Sequence, residues 1–345
     1  MPVLNRGGKF GDGCVNISIL GGGGFLGRRI AEALAASGQL GGARVESLTL
    51  FDLVPPAPLD AAFAVHCVGG DVAALPAAAI PAGTDVVFHL AAVVSAAAEA
   101  DYDLGRRVNL RGNDAVIDAC RALARPPRVV FASSVASFAG GQGVWLADDA
   151  RQMPGNSYGA QKAAAELILA DASRRRFLDL VSVRLPTICI RPGVPNKAAS
   201  SFVSSILREP LLGLRTTLPV GEDFAVWIAS PDFAVTWLMH AAAMDSAALG
   251  ADRGVNPPGL SVTTGAMLAA MERVRPGSRA LVSPAPDPVV AGIVGGWPSA
   301  FAATRAPALG FAVHGDLVGL VEEFLRRDLA STRAMRGHEV IASPK

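Results

Sequence analysis

The stretch LGGGGFLGRRIAEAL, residues 20–34, limits the fold more than any other part of the chain, because four consecutive glycines stand between an apolar run and a helix-like one. Before it, VNISIL is apolar and β-branched. After it, Leu26, Ile30, Ala33 and Leu34 recur at helical spacing while Arg28, Arg29 and Glu32 face elsewhere, until ASGQLGG stops the pattern. Strand, glycine turn and helix in that order satisfy both Gly22-x-Gly24-x-x-Gly27 and Gly21-x-x-Gly24-x-x-Gly27. One glycine allows the tight turn, the next lets the backbone approach a pyrophosphate, and the last lets helix and strand pack closely. The helix N-terminus offers free N–H groups and the positive end of its dipole.

A glycine loop by itself reads equally as a flexible linker. Here the second apolar run ends LTLFD, so Asp52 falls at a strand end about 25 residues beyond Gly27, where a carboxylate can accept from adenosine ribose hydroxyls. A negative charge there repels a 2′-phosphate, which favours NAD over NADP. GGDV then sets Asp71 after the third run, in reach of an adenine or simply as a loop cap.

The runs Val15–Leu20, Ser47–Phe51, Ala64–Val68, Asp85–Leu90, Arg128–Ala132 and Leu180–Arg184 alternate with helical stretches, which predicts an α/β fold with a doubly wound parallel sheet. Runs such as DVVFHLAA and RVVFASS are apolar without strict alternation, as strands covered on both faces require. Past Arg184 the rhythm loosens around Pro186, Pro192, Pro195, Pro210 and Pro219, and the substrate-contacting part is expected there.

Composition excludes several classes. Of 345 residues 51% are apolar and 18% charged, with a net charge of +1 and no long block of one sign, so neither nucleic acid nor an acidic membrane surface is an expected partner. Cys14, Cys67, Cys120 and Cys189 lack C-x-x-C spacing and read as buried, reduced thiols of a cytoplasmic protein; the five histidines lack ligand spacing, so no metal is expected. MPVLNRGGKFGDG reads as a loose extension, not a secretory signal. Phe224–Met244 is interrupted by Ser230-Pro231-Asp232, which predicts a strand followed by a buried helix in a soluble protein, not a membrane span.

Chemistry enters at NSYGAQKAAAELIL, which puts Tyr158 and Lys162 one helical turn apart on one face. A phenol with a pKa of about 10 is a poor base at neutral pH. A neighbouring ammonium and a nicotinamide's positive charge stabilise the phenolate, and Tyr158 can then take a proton from a substrate hydroxyl as hydride leaves the carbon. VVFASSVASF supplies Ser134 to orient the reacting oxygen, with Ser133 beside the cofactor. A Tyr–Lys pair alone is more often a surface pair, yet one of only two tyrosines in the chain falls in this arrangement.

Together these residues resemble an extended short-chain dehydrogenase/reductase of the NAD-dependent epimerase/dehydratase family: GGGGFLG, Asp52, GGDV, HLAA at His89–Ala92, Asn109, SSVASF, YGAQK and RLPTICIRPG. The resemblance runs from about Cys14 to about Leu325, and is strongest to the D-erythronate dehydrogenase branch through VVSAAAEAD, RLPTICIRPGVPNKAASSF, REPL, WIASP and PGLSVT. It implies a Rossmann-type sheet with a smaller C-terminal substrate-binding α/β domain, and a homodimer. It also implies NAD held by Gly21, Gly24, Phe25, Leu26, Gly27, Asp52, Leu53, Asp71, Val72, Leu90, Ala91, Ala92, Asn109, Ser133, Tyr158, Lys162, Pro186 and Thr187. Substrate contacts are expected for Ser95, Ser134, Thr187, Arg191, Asn196, Ser200, Ser201 and Trp227; by their chemistry Arg191 and Lys197 read equally as partners of a substrate carboxylate or as partly exposed cations beside prolines. The expected division is an extension 1–13, a dinucleotide-binding domain 14–185 with a returning segment near 231–257, a substrate domain 186–330 and a tail 331–345.

The implied activity is oxidation of a secondary hydroxyl on a small polyol acid. The chain departs from the branch where Ser-Gly-Glu becomes Ser95-Ala96-Ala97, and where an FGGPLP-like loop becomes FAGGQGVWLADD. Trp145 in that loop either walls the pocket, admitting a bulkier apolar alcohol, or lies on the surface. A sugar-nucleotide epimerase or dehydratase with tightly held NAD, and a redox-sensing binding protein, are the alternative functions. His89 reads as a packed strand-end histidine and Ser173–Phe177 as a solvated helix end.

Overall fold

A computed structural model describes residues 13–194 and 201–336. The expected extension, apart from Gly13, lies outside these residues, as do Asn196, Lys197 and Ser200.

Seven strands run parallel in the order Ala64–Gly69, Ala43–Asp52, Cys14–Leu20, Val86–His89, Arg128–Ser134, Asp179–Leu185 and Gly254–Val255. All six predicted runs are strands. The short strand Gln39–Leu40 turns back antiparallel on Ala43–Asp52. Strand order reverses at Cys14–Leu20, which has the second strand on one side and the fourth on the other. The crevice beyond the carboxyl ends of these strands is where open α/β sheets bind ligands.

Helices cover both faces. On one, the helices Phe25–Ser37 and Pro231–Ala243 pack Ile30, Leu34, Trp237 and Leu238 on Val15, Ile17 and Ile19. On the other, Gly112–Arg121 and Ser157–Arg174 bring Val116, Ala165 and Leu169 against Leu20, Val87, Val129 and Phe131. Apolar character without alternation in the sequence follows from this two-sided burial. Gly38 stops the first helix in the left-handed conformation, φ 67°, its N–H returning to Leu34 O.

The stretch 224–244 resolves as the strand Ala225–Ala229 followed by the helix Pro231–Ala243, with Ser230 as its cap and Pro231 in its first turn. Among the described residues no helix is long and apolar enough to cross a membrane.

Past Arg184 a second core forms from Ile190 and from Val203, Ile206, Leu268, Met271, Val321 and Phe324, the last six contributed by the helices Ser201–Leu211, Thr264–Val274 and Leu317–Arg327. The chain returns to the first layer through Pro231–Ala243 and through Gly254–Val255, which extends the main sheet. Arg29, 6% exposed, ties the two parts: its guanidinium reaches Asp232 at 2.6 Å, Glu323 at 3.7 Å and Asp328. A buried cation with three carboxylates is costly to break, because removing one side strands the other in a low-dielectric interior.

Two expectations need correction, and one left open is decided. The tail does not begin at 331, because the helix Leu329–Arg336 buries Thr332 completely and pairs Arg336 with Glu209. Cys14 is exposed, Cys67 half-buried, and only Cys120 and Cys189 are buried thiols. Of the two readings of Trp145 the surface one holds: Gly141–Ala147 is a strand paired with Pro298–Ala302, and the indole is 66% exposed.

Candidate active site

The glycine turn is pinned from below and open above. Gly21 and Gly22 donate to Phe51 O at 2.8 and 2.9 Å, fastening the turn to the second strand. Gly21 has φ 92°, and a Cβ there would stand 2.9 Å from Ala91 N; one on Gly27 would come 2.1 Å from Gly21 O. Only bare backbone fits. No side chain caps Phe25–Ser37 and no acidic residue stands in its first turn, so its leading N–H groups are left for an anion. Asp52 is held ready at the strand end, its Oδ2 accepting from Gly23 N at 3.0 Å and its Oδ1 from Leu53 N at 2.8 Å. This turn, bare of side chains at Gly21 and Gly27 because a Cβ there would strike backbone, with a carboxylate at its ribose end, fits NAD.

The outlying members of the expected cofactor set divide. Asp71 caps the short turn Val72–Ala74 through Ala73 N at 2.9 Å and pairs with Arg107. Leu53 is 73% exposed beside Asp52. Val72 is in the core under Gly112, and Asn109, 3% exposed, clamps both backbone groups of Val93 at 2.8 and 2.9 Å and reaches Gln161 Oε1 at 2.7 Å. Val72 and Asn109 therefore stand behind the cleft wall, because their side chains are spent on packing and on fixing a loop. Leu90 and Ala92 line the cleft; Ala91 between them packs inward.

The helix Ser157–Arg174 is capped by Asn156, whose Oδ1 accepts from Gly159 N at 2.8 Å. Gly159 lets this end sit on the strand turn, since a Cβ there would lie 1.9 Å from Ala136 O. Three successive strand residues then engage three successive helical turns. Ser134 faces Tyr158 closely enough to favour its ionised form, Lys162 Nζ donates to Ala132 O at 2.8 Å, and Ser133 Oγ donates to Glu166.

Burial pushes the Tyr158 phenol up, opposed by the Ser134 hydrogen bond and by the charge of Arg191. Arg191 is thus a cation acting on the phenol that the sequence did not single out, beside Lys162, whose Nζ is 5.8 Å from the Tyr158 ring centre. Burial lowers Lys162 itself to about 7, against the pull of Glu166. His89 is the packed residue expected: 1% exposed, 3.1 Å from Asn113 Oδ1, and lowered to about 3 by burial and by Lys162.

These groups open into one cleft of about 250 Å³ that brings together Gly21, Phe25, Ser134, Tyr158, Lys162 and Arg191. Leu26, Gly24, Gly27, Ser133 and Pro186 also line it, although the Ser133 hydroxyl is committed to Glu166. A second cavity of similar volume adjoins it across Phe25 and Arg191 and is lined by Ser201, Ser204 and Arg208. Arg191 is steered by Ile188 O, 3.2 Å from its Nε, and by Ser204 Oγ, which accepts from its backbone N–H at 3.1 Å.

Other substrate-side residues are not brought into the cleft lining. Trp227, 3% exposed, is core: it packs at a tilt on Phe301 with ring centres 4.3 Å apart, beside Val135 and Phe138. Ser95 opens a helix just outside the cleft and Thr187 pairs with Ile228 in a strand, while their neighbours Val94, Pro186 and Ile188 form the wall. Glu166 and Arg184 were missed. The one available signal was a carboxylate four residues past Lys162 on an alanine-rich helix. Among the described residues no group of three or more His, Cys, Asp or Glu could hold a metal ion.

A model of the NAD dependent epimerase/dehydratase family matches residues 17–246. The chain is 46% identical over 304 residues to a D-erythronate dehydrogenase of Cupriavidus necator, covering 86% of this chain and 94% of that one. It is 39% identical to a D-erythronate dehydrogenase of Haemophilus influenzae over 91% of this chain and all of the other. Among solved structures, one described as the nucleoside-diphosphate-sugar epimerase from Agrobacterium tumefaciens superposes with a TM-score of 0.87 at 40% identity, over 92% of this chain and 95% of that one. An L-threonine dehydrogenase from Clostridium difficile, 18% identical, shares the fold with a TM-score of 0.79 over 94% and 99% of the two chains.

Proposed function

The chain belongs to the NAD-dependent epimerase/dehydratase family, and from that premise we propose that it is a dehydrogenase of small polyol acids, D-erythronate or a close relative, with Tyr158 as its general base. The observation that carries this reading is that Ser134, Tyr158 and Lys162 share one cleft with the glycine turn. NAD, when bound, supplies the acceptor for the hydride.

Gly21, Gly24 and Gly27 would hold the pyrophosphate, Asp52 the adenosine ribose and Lys162 the nicotinamide ribose. Ser134 orients the substrate hydroxyl toward Tyr158 Oη. The proton passes to the phenolate oxygen, the electron pair of the broken O–H bond forms the carbonyl, and hydride leaves the same carbon. Arg191, already facing the phenol, is placed to receive the substrate carboxylate through its fork of N–H donors.

The experiment is to supply purified protein with NAD and a panel of four- and five-carbon sugar acids and to follow reduced nicotinamide by absorbance. Turnover with polyol acids and none with simple alcohols is the expected result. The likeness to a protein described as a nucleoside-diphosphate-sugar epimerase supports a second reading, in which the hydride is returned before release; interconversion of sugar nucleotides without accumulating NADH would select it.

The four free cysteines suit a cytoplasmic home. A homodimer is supported by Leu167 and Ile168, 71% and 40% exposed on the outer face of the catalytic helix. Sedimentation of the wild type against Leu167→Glu tests it.

A further inference from the structure

We propose that Glu166 is a positioning residue for Tyr158 and Lys162, locking the catalytic helix in register on the strand Arg128–Ser134 and supplying the fixed negative charge that keeps Lys162 an ammonium. This rests on the role proposed above for that pair.

Glu166 is 6% exposed and fully engaged. Its Oε1 accepts from Ser133 Oγ and from Gln152 Nε2, the latter at 3.0 Å; its Oε2 accepts from Arg184 Nε at 2.9 Å, with Arg184 Nη2 also 2.9 Å away. Arg184 is itself fixed, lying over the Phe138 ring at 5.3 Å and filling the space that a Cβ on Gly254 would need. The carboxylate is therefore anchored to two strands and one loop, not to its own helix. Because Ser133 stands between Ala132, which accepts from Lys162, and Ser134, which meets Tyr158, the Ser133–Glu166 bond sets the height and rotation at which the other two contacts form. Ammonium and phenol are one and two turns up the same helix, so a slip at Glu166 is transmitted to both.

The charge matters because Lys162 is buried. Few charges face it. On its own helix these are Tyr158 and Glu166; from the strand Val86–His89 there is His89, held neutral by burial. Arg184 reaches Lys162 only across Glu166, with Asp252 a further 3.9 Å from Arg184 Nη2, and Arg191 faces Tyr158. Glu166 is thus the anion that offsets desolvation of the ammonium.

The test compares kcat/KM of Glu166→Gln with wild type across pH. Gln keeps the shape and the hydrogen bond from Ser133 but removes the charge, so Lys162 loses its proton at lower pH. The variant-to-wild-type ratio is expected near one in acid, falling roughly tenfold as pH rises to about 7 and flat above it. A ratio constant with pH overturns the charge role. Glu166→Gln/Arg184→Gln, which also removes the guanidinium that Glu166 pairs with, must show the same pH-dependent fall if the single variant folds poorly. Ser133→Ala retains the charge and loosens the register; it is expected to lower kcat at every pH, and unchanged kcat overturns the positioning role. If Tyr158→Phe and Lys162→Met keep wild-type turnover, it is the proposed function that fails.

Discussion

Arg191 faces Tyr158 closely enough for its charge to favour the ionised phenol against the burial that raises it. The residue comes from the loop after the strand Thr187–Ile188, and the phenol from the first turn of a helix that begins at Ser157. Two segments distant in sequence thus share one electrostatic task. Arg191→Met is predicted to raise the pKa of Tyr158. The acid limb of the kcat/KM profile should move to higher pH, with activity lost at neutral pH and partly regained in alkali, and KM for the acid substrate should rise. A uniform loss at all pH values would contradict this.

Tyr158→Phe removes the proton acceptor and leaves the ring packing. Turnover is predicted to fall by about 10²–10⁴-fold with KM for NAD nearly unchanged, measured as reduced nicotinamide formed.

Asp52→Asn keeps an acceptor for Gly23 N–H and removes the charge. Charge-assisted hydrogen bonds are worth about 1.5–3 kcal/mol, so the preference for NAD over NADP is predicted to shrink by roughly tenfold or more. The ratio of kcat/KM for the two cofactors is the readout, with kcat on NAD little altered.

Gly27→Ala is predicted to abolish NAD binding and to lower the melting temperature, since the new Cβ would lie 2.1 Å from Gly21 O and backbone must move. Overpacking of this kind costs about 1–3 kcal/mol. Gly38→Ala, by contrast, strains only a helix end with open space around it and should leave cofactor binding intact.

Acidification should destabilise the fold through two histidines held neutral. Burial lowers His89 from 6.5 to about 3 and His314 from 6.5 to about 4. Below pH 6.5 the unfolded chain takes up protons that the folded chain refuses, so stability is predicted to fall as pH drops from 6.5 toward 3. His314→Asn should flatten the part of the melting-temperature profile between 6.5 and about 4.

What the sequence determined is local. A glycine turn between a strand and an amphipathic helix, an acidic residue at the next strand end, and Tyr158 and Lys162 one turn apart all depend on neighbours within a few residues, where backbone sterics and periodicity act directly. The six strand positions were legible for the same reason. Side chains brought together by long-range packing were not. Ala132, Ser133 and Ser134 meet Lys162, Glu166 and Tyr158 only once a crossover helix has settled on the sheet, and no spacing in one dimension states that register. Trp227 and Trp145 look alike as aromatic residues beside a pocket, yet one is core and the other solvent-exposed, because strand pairing decides which way a side chain points. The placement of Arg191 against the phenol, and of Glu166 beneath the lysine, belongs wholly to tertiary structure. Low-dielectric burial makes a charge a few ångströms away count, and the distance is set only by the completed fold.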